Sequence, residues 1–408
     1  MMIRPTSCAC WASTLSVILG ASTVAAQKLE DVLAKQANLT TFRDLVKENS
    51  DIFSNLPKSG VTILAPSDQA YTKGQGWDAA ADAVPVALRY GIIDSRIPFD
   101  ALFPGNSSLE STLLTDDRYS NVTGGQSVLV TKGPNGDVVV TSGVAQRTTA
   151  LKTDIAFDGG LVQIIDSLMV APARLEKTAR DAYQDLTSFL GALYATDLVA
   201  EFAETQNVTI FAPRNAAFQR VAGVLSSLSK DDLRRVLRYH IVPSKVVGKS
   251  ALTNGTKLPT GVNGKSLEVT LFNNDIFIES ARIIQTDILI ANGVVQVLDA
   301  VLNVNSNNTS PNVSAVTQTP VFTLIGETET GTAAPTPFAS ALPCTTDCPV
   351  TGSSGSGRGG AGGTATGGVS PSSSTGGVAA ARCTGGLPAA AGMGLGLAVG
   401  VLGMGVIV

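Results

Sequence analysis

The sequence predicts an α+β protein built from two tandem domains of one design, followed by a disordered stalk. Two observations carry that prediction. Blocks of residues recur in the same order in two regions, 27–172 and 173–304, and both regions mix strand-like with helix-like hydrophobic periods. After residue 304 the composition turns to Gly, Ser, Thr, Pro and Ala, too poor in apolar side chains to offset the entropy of ordering. A chain of 408 residues has room for both domains and the stalk.

Taken in order, the chain opens with a segment that has the layout of a secretory signal peptide, 1–26. One basic residue, Arg4, precedes a short apolar run (Leu15-Ser-Val-Ile-Leu19), and small residues Val24-Ala25-Ala26 end it, so cleavage is expected after Ala26.

Three matched blocks define the repeat. Val61-Thr-Ile-Leu-Ala-Pro-Ser-Asp-Gln-Ala-Tyr71 pairs with Val208-Thr-Ile-Phe-Ala-Pro-Arg-Asn-Ala-Ala-Phe218. Leu88-Arg-Tyr-Gly-Ile-Ile93 pairs with Leu237-Arg-Tyr-His-Ile-Val242. Thr153-Asp-Ile-Ala-Phe-Asp-Gly-Gly-Leu-Val-Gln-Ile-Ile-Asp166 pairs with Thr286-Asp-Ile-Leu-Ile-Ala-Asn-Gly-Val-Val-Gln-Val-Leu-Asp299. The gap from second to third block is longer in the first copy, which places extra loop within 94–125.

Each block has a local physical reading. Residues 208–211 are a β-rich run stopped by Pro213, after which Asn215 is expected to cap a short helix that buries Phe218. Ser229-Lys-Asp-Asp232 is a capping box, with Leu233, Val236 and Leu237 following at helical spacing. The third block reads as strand, Asn292-Gly293 turn, strand, and 265–279 as a hairpin around Asn273-Asn274.

Beyond the repeat, the stalk spans 305–386 with only Glu327, Glu329, Asp347, Arg358 and Arg382 charged. Its Ser, Thr and Pro content is that of an O-glycosylated spacer. Cys344 and Cys348 lie within it and are candidates for a small local disulfide, being too few for a zinc shell. The segment 387–408 is apolar and uncharged, and the layout of small residues, spacer and apolar tail favours a glycosylphosphatidylinositol (GPI) signal over a transmembrane helix with its usual basic flank. The spacer length puts the attachment residue near Ser373, Ser374, Gly376 or Gly377. Eight Asn-x-Ser/Thr sequons become available on secretion, at Asn38, Asn106, Asn121, Asn207, Asn254, Asn307, Asn308 and Asn312.

The same residues weigh against several function classes. A formal charge of −4 without any basic run gives nucleic acid little to bind. His240 is the only histidine and neither domain holds a cysteine, so a catalytic triad or a His-based metal site has no material; no catalytic residue, metal or cofactor is expected. Asp116-Asp117 and Asp231-Asp232 read as a solvated loop and a helix start, and Asn135-Gly136-Asp137 as a hairpin turn. On its own, His240 reads as a hydrogen-bonded brace at a helix end, Tyr239 as half-buried packing and Asp287 as a turn cap.

Together the three blocks resemble the signature of the fasciclin domain family. The second copy follows it through 209–218, Tyr239-His240 and 292–299, with Gln296 where the family usually has His. The first copy departs further, with Gly91 in place of the His and Gly159-Gly160 in place of Asn-Gly. The resemblance implies a compact α+β domain, a twisted β-sandwich or wedge with helices packed against it. Combined with a signal peptide, stalk and lipid anchor, it is similar to fungal fasciclin-like surface proteins. It further implies adhesion between cells or to matrix, through surface or matrix glycoproteins or wall polysaccharides, with self-association open. The positions the family links to receptor binding correspond here to Tyr239, His240, Asp287 and Ile288, and in the first copy to Tyr90, Asp154 and Ile155. A structural cell-wall role without a receptor is the alternative expectation, and a surface hydrolase the remote one.

Overall fold

In the computed structural model of the protein the described residues are 27–74, 82–306, 310–315, 318–322 and 337–343. The expected signal peptide 1–26, the sequons at Asn307 and Asn308, Cys344 and Cys348, the anchor positions Ser373, Ser374, Gly376 and Gly377, and the tail 387–408 lie outside them.

The repeat in the sequence is a repeat in topology. In the first half, β1 (Val61–Pro66), β2 (Ile92–Ile93), β3 (Ser107–Ser111), β4 (Ser127–Lys132), β5 (Val138–Thr141), β6 (Arg147–Phe157) and β7 (Gly160–Ile165) form one sheet in the order β2-β1-β7-β6-β5-β4-β3. In the second half, β8 (Val208–Pro213), β9 (Ile241–Val242), β10 (Lys257–Pro259), β11 (Ser266–Phe272), β12 (Asp275–Ile278), β13 (Ala281–Ile290) and β14 (Gly293–Leu298) are ordered β10-β11-β12-β13-β14-β8-β9. Taken from the opposite edge, this is the first order strand for strand.

Within each sheet the first and last strands lie side by side and parallel, second and third from one edge, Val61↔Gly160 to Pro66↔Ile165 and Gly293↔Val208 to Leu298↔Pro213, and every other pairing is antiparallel. A strand buried on both faces must serve two cores, one for each parity of residue. In β1, Val61, Ile63 and Ala65 face the helical side with Phe42 and Val46. Leu64 faces the other way, into a cluster with Val128, Val130, Val138 and Val140, so the sheet closes over itself. The second half repeats this, with Ile210 and Ala212 toward the helices and Phe211 toward Val269, Ile276 and Ile278.

The parallel pair has a steric condition. Gly160 (φ +151°) and Gly293 (φ +155°) begin the last strands, and a Cβ on either would stand 1.9 Å from the carbonyl oxygen of Val61 or Val208. Only glycine allows that approach. The turn therefore falls one residue earlier than the sequence suggests: Ile290 pairs with Gly293, leaving Ala291 and Asn292 as the loop, and Gly293 is already strand.

Other expectations are met or refined. The helix Lys230–Arg238 starts at Ser229, whose Oγ accepts the Asp232 N–H (3.1 Å), and buries Leu233, Val236 and Leu237. The β11–β12 hairpin turns at Asn273 and Asn274, with Asn273 at φ +53°. Asn215, by contrast, does not cap its own helix. Its Oδ1 accepts the N–H of Ser188 (2.8 Å), capping the separate helix Thr187–Ala195, and its Nδ2 donates to Gln184 O (3.0 Å). Asp68 does the equivalent in the first half, accepting from Thr40 (3.1 Å) and Thr41 (2.8 Å) at the start of helix Thr40–Glu48. Burial pulls the Asp68 carboxyl upward, but the hydrogen bonds from Thr41 and Thr40 outweigh it and hold its pKa below the usual range.

The extra length of the first copy falls between β3 and β4, in 112–126. Part of the segment read as stalk is packed. Phe322 is buried in the helical core of the second half, Val321, Phe338 and Leu342 pack against it, and Phe338 meets Phe218 edge-on at 6.1 Å. A few apolar residues anchor these stretches even though the average composition of 305–386 is polar and small.

Replacing Gly293 by Ala should cost on the order of 3 kcal/mol, because the Cβ forces β14 away from β8. Chemical denaturation of the Gly293→Ala variant measures it; a loss below about 1 kcal/mol would show that the strands separate easily.

Candidate functional site

Helix ends and strand bulges place the candidate interaction residues. Tyr239 and His240 follow directly on helix Lys230–Arg238, where the chain turns into β9. Asp287 and Ile288 lie on β13, next to a register shift between Gln285 and Ile288; Asp154 and Ile155 lie at the same point of β6. Asp287 (φ +59°) and Asp154 (φ +56°) both adopt the left-handed backbone that Asp tolerates better than most residues.

His240 is fully buried. Leu302 N–H donates to its Nε2 (3.0 Å), which fixes the proton on Nδ1, and Nδ1 donates to Val236 O (2.8 Å). One ring thus ties the helix end to the strand exit beyond β14. Burial outweighs the Val236 hydrogen bond and lowers its pKa to about 4, so it is neutral at pH 7. Tyr239 is 5% exposed, with its hydroxyl 3.4 Å from Ser266 O, and burial, helped by Glu279, pushes its pKa up to about 12. Tyr90, its counterpart, is buried and donates to Ser127 O (3.0 Å).

Asp287 is 4% exposed, and its Oδ1 accepts from Lys249 N–H (2.8 Å) and Gln296 Nε2 (2.9 Å). Gln296 Oε1 accepts in return from Asp287 N–H (3.0 Å), and its Nε2 also reaches Val247 O (3.1 Å). Burial raises the Asp287 pKa above the usual carboxylate value, against the hydrogen bonds from Gln296 and Lys249. The first half holds the same device. Asp154 accepts from Phe99 N–H, Asp100 N–H (both 2.9 Å) and Gln163 Nε2 (2.7 Å), and Gln163 Oε1 accepts from Asp154 N–H (2.7 Å). Ile288 is a core residue, and Ile155 is half-buried against the helical core.

The arrangement is a clamp on the loop that leaves the short second strand. A threonine completes it: Thr209 Oγ1 donates to Lys245 O (2.7 Å) and accepts from Val247 N–H (2.8 Å), as Thr62 does with Ser95 O and Ile97 N–H (both 2.8 Å). Sequence reading noted Gln296 only as a departure from the family's usual His and gave no role to Gln163, Thr62 or Thr209, although each repeats at the same place in both copies. The clamp brings Asp287 to Gln296 and Thr209 to the same loop. Tyr239, His240 and their partners belong to other contacts.

Among the described residues no three His, Cys, Asp or Glu side chains stand together as a metal shell, and no helix is long and apolar enough to cross a membrane. A cavity of about 340 Å³ beside the second half is lined by Ser280, Ser306, Asn312, Gln318, Thr319 and Phe322 among others. Its lining is hydroxyl, amide and apolar, without an acid–base group.

With the geometry in view, the comparison with known proteins is direct. The Fasciclin domain matches residues 37–171 and again 184–304, more than half of the chain. The chain belongs to the fasciclin family. It is 27% identical over 303 residues to a fasciclin-like arabinogalactan protein of Arthroderma benhamiae, covering 72% of this chain and 70% of that one. It is 28% identical over 293 residues to the fasciclin-like arabinogalactan protein CTB11 of Cercospora beticola (69% and 77%), and 23% identical over 259 residues to human periostin (60% and 28%). These relatives set the two fasciclin domains among proteins of adhesion and extracellular type.

The buried histidine yields a pH prediction. Its folded pKa lies below the unfolded value of about 6.5, so its contribution is complete above pH 6.5 and is lost as pH falls toward 4. His240→Gln should be less stable than the parent at pH 7, with the gap shrinking by up to about 3 kcal/mol on acidification. Thermal unfolding of both proteins from pH 7 to 4.5 reads this; a pH-independent gap would show that His240 is not buried neutral.

Proposed function

We propose that this protein is a cell-surface adhesion or wall-interaction protein that displays two fasciclin domains on a GPI-anchored, glycosylated stalk. The observation that carries the reading is membership of the fasciclin family in two full copies. The secretory layout of 1–26, the sequons and the apolar tail 387–408 support export and anchoring. The partner class is a surface or matrix glycoprotein or a wall polysaccharide, and no catalytic step is assigned.

Because Asp287 and His240 are buried and hydrogen-bonded within the fold, binding is sought on exposed surface, and these two serve as stability controls. The test uses a soluble fragment, 27–343, which keeps the packed stretches around Phe322 and Phe338. Saturable binding to intact cells and purified walls is the expected result. No saturable binding to any surface, from a fragment whose unfolding is cooperative, would move the reading to a wall component without a receptor.

A further inference from the structure

Two sequons meet where the two domains touch. The loop 112–126, the extra length of the first domain, reaches the second domain at the β13–β14 turn. Asn121 N–H donates to Ala291 O (2.7 Å), Asn121 Nδ2 to Glu204 O (2.8 Å), and Asn207 N–H to Asn121 O (3.3 Å). Buried Gln126 adds Nε2 bonds to Ala291 O (3.2 Å) and Ile290 O (3.4 Å). Asn207, held at φ +56°, faces Thr123 with its whole amide: Thr123 N–H donates to Oδ1 and Nδ2 donates to Thr123 Oγ1, both at 2.8 Å.

Thr123 is the hydroxyl residue of the Asn121 sequon, so each sequon consumes part of the other. The chemistry of the linkage sharpens this. An N-glycan is attached through Nδ2 in a trans amide, with the first sugar carbon on the same edge as Oδ1. That edge of Asn207 is the one that grips Thr123. A sugar there would stand where Thr123 Oγ1 stands. Asn38, Asn106, Asn254 and Asn312 are exposed, and among the described residues none of the four lends its Nδ2 to a contact between the domains; Asn254 and Asn312 each accept a backbone N–H through Oδ1.

We propose that Asn121 and Asn207 are the latch between the two fasciclin domains and carry no glycan in the folded protein, the N-glycans being borne by exposed sequons such as Asn38, Asn106 and Asn254. The glycan half of this proposal rests on the secretory reading above; the latch half does not.

The experiment expresses the full chain in a eukaryotic secretory host. Glycan sites are mapped by enzymatic deglycosylation in ¹⁸O water, and amide hydrogen exchange is followed in peptides containing Asn121 and Thr123. Asn254→Gln should remove one glycan and leave exchange unchanged. Asn207→Gln should remove none, yet accelerate exchange of the Asn121 and Thr123 amides by about tenfold. Thr123→Val, which lacks the Oγ1 acceptor without disturbing the backbone of residue 207, should accelerate it similarly. A glycan at Asn121 or Asn207 in protein with a protected seam overturns the proposal, and so does unchanged exchange in both seam variants. A chain with no glycan even at Asn254 sinks the secretory reading instead, and exchange in that same protein still decides the latch.

Discussion

Each domain depends on a contact in which the last strand lies against the first with no room for a side chain between them. Gly160 and Gly293 let the carbonyls of Val61 and Val208 approach to a distance any Cβ would forbid. That closure joins the two ends of a domain more than 80 residues apart in sequence and puts both strands inside the sheet, buried along their length. The helices then have a floor to pack on, and the outer strands a partner to fold over. The side chains of the closing strand are fixed as a consequence, Gln163 and Gln296 among them, and these hold the loop that follows the short second strand.

The buried polar groups show how tightly that frame is specified. A carboxylate away from water is expensive unless several donors converge on it. Asp287 meets that demand with the Lys249 N–H and the Gln296 amide, and the half-buried Asp154 with two backbone N–H groups and the Gln163 amide. Their left-handed backbone turns the side chain inward at a strand bulge. His240 is a neutral counterpart in the second domain alone, where its two ring nitrogens serve one donor and one acceptor. The first domain has Gly91 at that point and so has no side chain there to make this tie.

Much of this was legible in the sequence. Repetition announced two domains of one topology, since a block that recurs in order must serve the same element twice. Capping chemistry located the helix Lys230–Arg238, and β-rich runs ended by Pro213 or broken at Asn292-Gly293 located strands around it. Long-range partners were not legible. Asn215 looks like a cap for the helix it begins, but its amide reaches a helix 27 residues earlier. Asn121 and Asn207 look like ordinary sequons, because nothing local says that a loop of one domain will meet the other. The packed stretches at Phe322 and Phe338 were hidden by the average polarity of their neighbours.

Those stretches also decide where mechanical load would enter. A pull on the chain beyond residue 343 is met first by Phe338 and Leu342 on the helical face of the second domain. Such contacts run one after another along the direction of pull and yield by peeling, each at small force. The packed strap is therefore the first hold on the second domain that such a pull must break.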